Sequence, residues 1–223
     1  LGCPSGTVVA KGKGSGFLAY PEELDRFLDE IYSKLDMKIS IKARIGKNSV
    51  DEFHRLIEIY NKYPVEELIV HPRLQIDFYK NKPNWEIFQD AVNKSRHSLC
   101  YNGDIYTIED FKRFCDRFPF VEKIMCGRGV VANPSLFSSI EKKVKPDINR
   151  FKNFHDDIYV AYQEISSGER NTLFKMKELW SYMGQSFEYA EKYMKKIKKS
   201  EKLFTYEKAV TDLFANCPFK KGI

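Results

Sequence analysis

His97-Ser98-Leu99-Cys100-Tyr101-Asn102-Gly103-Asp104-Ile105 is the stretch that decides the fold. It reads as a short buried strand running into a polar, glycine-containing turn, after which Thr107-Ile108-Glu109-Asp110 opens a helix. The same grammar occurs at 37–46 (MKISIKARIG), 67–73 (ELIVHPR) and 121–129 (VEKIMCGRG). In each, an apolar run ends in Lys, Arg, His, Asn or Asp and a helical pattern follows. Strand, polar tip and helix in alternation imply an α/β fold with a parallel sheet and right-handed crossovers. In a (β/α) barrel, polar side chains at the C-terminal strand ends are where chemistry sits.

Working outward, 1–16 (LGCPSGTVVAKGKGSG) is a loop with five glycines, a composition suited to tight turns and close backbone approach. Pro21-Glu22-Glu23-Leu24 starts a helix with Pro early and acids in the first turn. Ser49 is expected to cap the next helix, with Glu52 as its capping-box partner. Residues 74–83 form a polar-aromatic loop of the kind that lines ligands. Beyond Lys145-Pro146-Asp147 the strand signal stops. Four helical stretches are expected at about 150–165, 170–183, 186–198 and 201–215. Their core positions are Phe151, Phe154, Ile158, Leu173, Leu179, Trp180, Met183, Phe187, Tyr193, Phe204 and Leu213. Two domains are therefore expected, 1–145 with the strands and 146–223 all-helical.

The bulk numbers narrow the function classes. The chain has 223 residues, 43% of them hydrophobic, and no apolar run near the roughly 20 residues of a membrane span. The opening Leu1-Gly2-Cys3-Pro4 has no basic n-region, so no signal peptide is expected, and without an initiator Met the chain is expected to be a fragment. Five cysteines without paired spacing argue for a reducing, cytoplasmic setting and against a disulfide framework or a metal site. Residues 1–140 carry 20 Lys and Arg against 19 Asp and Glu, and residues 141–223 carry 17 against 12, so +5 of the +6 net charge lies in the last third. A basic accessory segment suits a polyanionic partner. On charge alone a lysine-rich solvated face is the plainer account.

The candidate chemistry lies at the strand ends. Lys42 and Arg44 alternate with apolar residues and point to one face. Cations inside so apolar a run need partners. His71 ends its strand, Asn102-Gly103-Asp104 makes a turn, and Gly127-Arg128-Gly129 offers backbone N–H groups and a guanidinium to a phosphate. Cys3 is either a small apolar turn residue or a reactive thiol in a mobile loop near Lys11 and Lys13. Cys100, Cys115 and Cys126 sit in apolar surroundings and read as structural.

Taken in order, Gly2-Cys3-Pro4, Gly12-x-Gly14-Ser15-Gly16, Lys42-Ala43-Arg44-Ile45-Gly46, His71-x-Arg73, Asn102-Gly103-Asp104-Ile105, Gly127-Arg128-Gly129 and Asn133-Pro134 resemble the tRNA-dihydrouridine synthases over nearly the whole chain. Thr7 fits that pattern, while Pro72 stands where the family often has Gly. The resemblance implies an FMN-binding (β/α)8 TIM barrel, of which this chain holds the C-terminal half (strands 5–8 with their helices), followed by a small helical tRNA-binding domain. It implies that Cys3 protonates uracil C5 while reduced flavin delivers hydride to C6, with NADPH as reductant. A thiol of ordinary pKa, about 8.5, is a competent donor for that step. Lys42 and His71 would contact the flavin ring and the base; Asn102, Gly103 and Asp104 the ribityl and phosphate loop; Gly127 and Arg128 the phosphate. Lys11, Arg44, Arg73, Lys195, Lys196 and Lys199 are the expected substrate contacts. The full-length protein would be monomeric, bind tRNA and need no membrane or metal. Roughly 90 barrel residues are expected to be missing, which would leave this chain poor in FMN binding and turnover. The alternatives are another FMN-dependent barrel oxidoreductase acting on a small molecule, or a non-catalytic nucleic-acid-binding fragment.

Overall fold

The computed structural model describes residues 1–220, so the last three positions of the expected 146–223 domain lie outside the described residues. Packing divides the chain into two units. The first is Leu1–Asp104 with Phe114–Met125; the second is Ile105–Arg113 with the chain from Cys126 onward.

In the first unit α1 (Gly6–Val9), a 3₁₀ turn (Gly14–Ala19) and α2 (Pro21–Lys34) lead into β1 (Ile41–Gly46). Then come α3 (Glu52–Tyr60), β2 (Glu67–Leu74), α4 (Trp85–Lys94), β3 (Ser98–Asn102), α5 (Ile108–Arg117, shared between the units) and β4 (Lys123–Met125). The four strands form one parallel sheet in the order β1-β2-β3-β4, the arrangement that alternating strands and helices require.

Strand periodicity sorts the sheet into two faces. Ile41, Ala43, Leu68, Val70 and Tyr101 are buried on one face. The ring of Tyr101 meets Phe88 of α4 at 4.9 Å and stacks on Phe114 of α5 at 4.2 Å. Helices cover this face, and each fully buried Leu or Phe there contributes about 1.5–3 kcal/mol. Lys42, Arg44, His71, Cys100 and Asn102 alternate onto the other face.

Local details differ from the sequence reading for identifiable reasons. β1 starts at Ile41, not Met37, because its pairing with β2 begins at Ile41↔Leu68. β2 runs through Pro72 to Leu74. Arg44 pairs with His71 but Gly46 with Leu74, so β2 carries an extra residue at this point. A bulge tolerates a proline that a regular central strand would not. At α3 the Glu52 carboxylate accepts the Ser49 N–H at 3.0 Å as expected, but Ser49 Oγ accepts from Asp51 N, and the helix begins two residues late. The full reciprocal box occurs at α5: Thr107 Oγ1 accepts from Asp110 N at 3.1 Å while Asp110 Oδ2 accepts from Thr107 N at 3.0 Å.

The second unit contains α6 (Arg128–Ala132), α7 (Leu136–Lys142), α8 (Ile148–Ile165), α9 (Glu169–Met183), α10 (Glu191–Lys199) and α11 (Leu203–Asn216). α6 and α7, on the strand side of the expected boundary at 145, group with these helices, and Ser186 Oγ donates to the Ala132 carbonyl. Its core includes Phe151, Leu173, Met176, Trp180, Met183, Phe187, Tyr206 and Leu213. Phe204 is not part of it, at 73% exposure. Leu203, Tyr206, Val210 and Leu213 make the inward stripe of α11, and Phe204 lies one residue, about 100°, off it.

Candidate active site

On the uncovered face of the first unit, β1 contributes a paired and an unpaired cation. Arg44 is wholly buried. Its Nε donates to the Gly2 carbonyl at 3.2 Å, Nη1 to Leu74 O at 2.6 Å and Nη2 to Phe78 O at 2.6 Å, with the Tyr79 ring 5.3 Å away. Such a guanidinium is committed to backbone carbonyls. It joins the opening loop to the loop after β2, with three of its five N–H donors on these carbonyls. Lys42 is half-buried and has no hydrogen bond or ion pair among the described residues. Burial, and then the Arg44 charge, hold its pKa below the ordinary lysine value. Its Nζ lies 3.8 Å from where a Cβ on Gly2 would stand, so this cation sits beside the Cys3 loop.

His71 and Arg73, two residues apart on β2, stand side by side. Arg73 Nη1 is 3.0 Å from His71 Nε2. A guanidinium only donates, so Nε2 accepts and the ring hydrogen is on Nδ1. Arg73 also donates to Asn81 O at 2.6 Å and, through Nη1 and Nη2, to both carboxylate oxygens of Asp104. Tyr79 lies 6.1 Å from the His71 ring and so links the two arginine clusters. Arg73 and Asp104, expected on separate ligands, are thus each other's partners.

Cys3 is exposed. Side chains of Ser15, Arg44 and Gln75 hold the backbone of its loop. Asn102 donates to the Met125 carbonyl at 2.7 Å and braces β3 against β4, with Gly103 next to it. Lys11 is exposed just after α1.

The remaining expected residues belong to the second unit. Gly127 has open space where a Cβ would stand, and the Arg128 guanidinium lies 5.7 Å from the Tyr106 ring centroid. Gly129 cannot be anything else, since a Cβ there would fall 2.0 Å from the Ile105 carbonyl oxygen. Lys195, Lys196 and Lys199 are exposed on α10, with Lys196 over the Tyr193 ring at 5.5 Å and 3.5 Å from Asp212. Lys196 and Lys199, together with Lys202 and Lys208, line a groove of about 660 Å³ between α10 and α11. Lys202 and Lys208 were missed in the sequence because they lie beyond the run that drew attention. Ser15 stood inside the Gly12-x-Gly14-Ser15-Gly16 motif without a role of its own, and Tyr79 and Gln75 carried no motif signal.

Among the described residues no helix is long and apolar enough to cross a membrane, and no group of three or more His, Cys, Asp or Glu is placed to hold a metal ion.

Three relatives illustrate what the chain is similar to. It is 29% identical over 142 residues to the tRNA-dihydrouridine(16) synthase of Pseudomonas syringae pv. tomato, covering 63% of this chain and 44% of that protein. It is 31% identical over 156 residues to the tRNA-dihydrouridine(47) synthase NAD(P)(+)-like protein of Xenopus laevis, covering 69% and 24%. It is 28% identical over 149 residues to the probable tRNA-dihydrouridine synthase 2 of Bacillus subtilis, covering 64% and 45%. The match thus takes in less than half the length of these curated relatives. A family model described as dihydrouridine synthase (Dus) matches residues 1–220, and the chain belongs to that family.

Proposed function

We propose that the protein carrying this chain reduces the C5=C6 bond of uridines in tRNA, with FMN as cofactor and NADPH as reductant, and that Cys3 is the proton donor. The observation that carries the reading is the exposed Cys3 thiol in a loop beside the unpaired, half-buried Lys42, on a sheet face where Arg44 is held by backbone carbonyls and Arg73 by Asp104.

The residues present suit a flavin by the chemistry of their donors. Lys42 is a cation without a partner on β1, and the backbone at Gly127 is open beside Arg128. By the family resemblance, Lys42 and His71 would meet the isoalloxazine ring and the base. Asn102, Gly103 and Asp104 would line the ribityl and phosphate loop, and Gly127 and Arg128 the phosphate. When bound, reduced FMN supplies the hydride to C6.

The chain's own groups do the rest. Cys3 holds a proton at Sγ and releases it to C5 on the opposite face of the base. Lys42, raised in energy by burial, is stabilised by negative charge developing near it. It acts as an electrostatic partner. His71, with its hydrogen on Nδ1, offers a donor whose orientation Arg73 fixes. The uracil has to leave its stack to reach such a site. The lysine groove of the 146–223 region would track the tRNA backbone, supplying affinity without base readout. The full-length protein would act as a cytoplasmic monomer.

Cys3→Ala tests the reading. Flavin should remain bound, while single-turnover uridine reduction on tRNA slows about 10²–10⁴-fold, the usual worth of general acid catalysis. Turnover equal to that of the unaltered protein would remove Cys3 from the mechanism.

A further inference from the structure

Three consecutive carbonyls around the Cys3 thiol are each held by a side chain from a different segment. The Gly2 carbonyl accepts from Arg44 Nε at 3.2 Å. The Cys3 carbonyl accepts from Ser15 Oγ at 2.8 Å and from the Ser15 N–H at 3.0 Å. The Pro4 carbonyl accepts from Gln75 Nε2 at 3.3 Å. Ser15 and Arg44 are wholly buried and Gln75 is 7% exposed, whereas Cys3 is exposed. The holders are therefore packed scaffold and the held residue faces solvent.

The consequence is geometric. The Gly2 carbonyl fixes the peptide plane before the Cys3 Cα, and the Cys3 carbonyl fixes the plane after it. With both planes set, the φ and ψ of Cys3 are set, and the thiol retains only the three staggered positions of χ1. The glycine before Ser15 serves the same seat. Gly14 has φ +58°, and a Cβ there would stand 2.6 Å from the Cys3 carbonyl oxygen, so any side chain would push the loop out. Phe78, also at positive φ (50°), turns its carbonyl onto Arg44 and locks the guanidinium from its far side.

We infer that Ser15, Arg44 and Gln75 are positioning residues that present the Cys3 thiol at one place on the sheet face. They act through the loop backbone and touch no reacting atom. The inference rests on the reading of Cys3 as proton donor, and it assigns Arg44 a different task from the substrate contact expected from sequence.

Replacing Arg44 would strand buried carbonyls, so the test uses Ser15→Ala and Gln75→Met, which remove a donor at nearly constant volume. The first readout is independent of activity. A nitroxide label is attached to Cys3 in a background with Cys115 and Cys126 changed to Ser, without flavin or tRNA. Both variants should give the label greater mobility, seen as narrower lines. In the flavin-loaded protein, single-turnover uridine reduction should fall about 10–100-fold, the scale of a misplacement near 1 Å, while KM for tRNA and flavin reduction by NADPH stay within about twofold. In a Cys3→Ala background Ser15→Ala should add no further loss, since the two act through one group. Unchanged spectra with unchanged rates would overturn the inference. So would an equal loss with and without the thiol, which would mark general damage. Full turnover by Cys3→Ala alone would instead sink the role of Cys3, and the label would still decide whether these side chains hold the loop.

Discussion

Asp104→Asn should destabilise the first unit by about 2–3 kcal/mol. Arg73 has a side chain only 1% exposed, and the carboxylate opposite it is 31% exposed. Of the acceptors on the guanidinium, Asn81 O and His71 Nε2 are neutral, so Asp104 is its counter-charge. Removing one partner of a fully buried pair costs about 3–5 kcal/mol. Partial access of water to the carboxylate reduces that figure. The asparagine keeps one acceptor, but its NH₂ faces the Nη2 donor, so one charged hydrogen bond, worth about 1.5–3 kcal/mol, is lost outright. Urea unfolding followed by Trp85 fluorescence measures this, and with an m-value of about 1–3 kcal/mol/M the midpoint should drop by about 1 M. The double variant Arg73→Met/Asp104→Leu should lose less than the two single changes together, because no charge is left unpaired. A loss below about 0.5 kcal/mol for Asp104→Asn would refute the reasoning, since that is the range of a solvated surface pair.

Other consequences can be checked separately. Arg128→Ala should raise the Kd for FMN more than it changes the reactivity of the flavin that remains bound, because a guanidinium fork suits a phosphate; fluorescence titration reads this directly. Reversing Lys196, Lys199 and Lys202 to Glu should weaken tRNA binding and lower the log–log salt slope by about 0.9 for each duplex phosphate no longer neutralised, with NADPH-driven flavin reduction unaffected. His155 is buried in the second unit, in a chain running from Trp180 Nε1 to Tyr206 OH at 2.8 Å, on to His155 Nε2 at 2.7 Å and from Nδ1 to Asp156 Oδ1 at 2.8 Å. Burial lowers its pKa, so the unfolded chain takes up the proton first. The stabilisation is present above the ordinary histidine value, about 6.5, and is lost as pH falls below it; His155→Phe should flatten that part of the stability–pH curve.

The legible parts of this molecule are those that depend on periodicity. Alternation along 41–46 put Lys42 and Arg44 on one face and Ile41 and Ala43 on the other, and the helices did cover the apolar face. The start of α5 at Thr107-Ile108-Glu109-Asp110 was visible because its capping pair is local, three apart in sequence. Phe204 shows the limit of the same rule. A one-residue error in phase moves a helical side chain from core to solvent, and the sequence does not reveal where the helix starts.

The task of a polar side chain at a strand end depends on something no periodic rule encodes, namely which distant carbonyls turn inward. Lys42 and Arg44 illustrate this, being two residues apart, alike in charge and on the same face. One remains unpaired beside the Cys3 loop, while the other is consumed by Gly2, Leu74 and Phe78. The difference comes from the loop after β2, where Pro72 coincides with an extra residue in the strand and Phe78 adopts a left-handed backbone. Those two irregularities bring Leu74 and Phe78 carbonyls to the Arg44 guanidinium, and the same stretch carries Gln75 to Pro4. An arginine that a motif would assign to the substrate is thereby spent on shaping the thiol loop. The lysine two residues earlier is left as the cation able to respond to new negative charge.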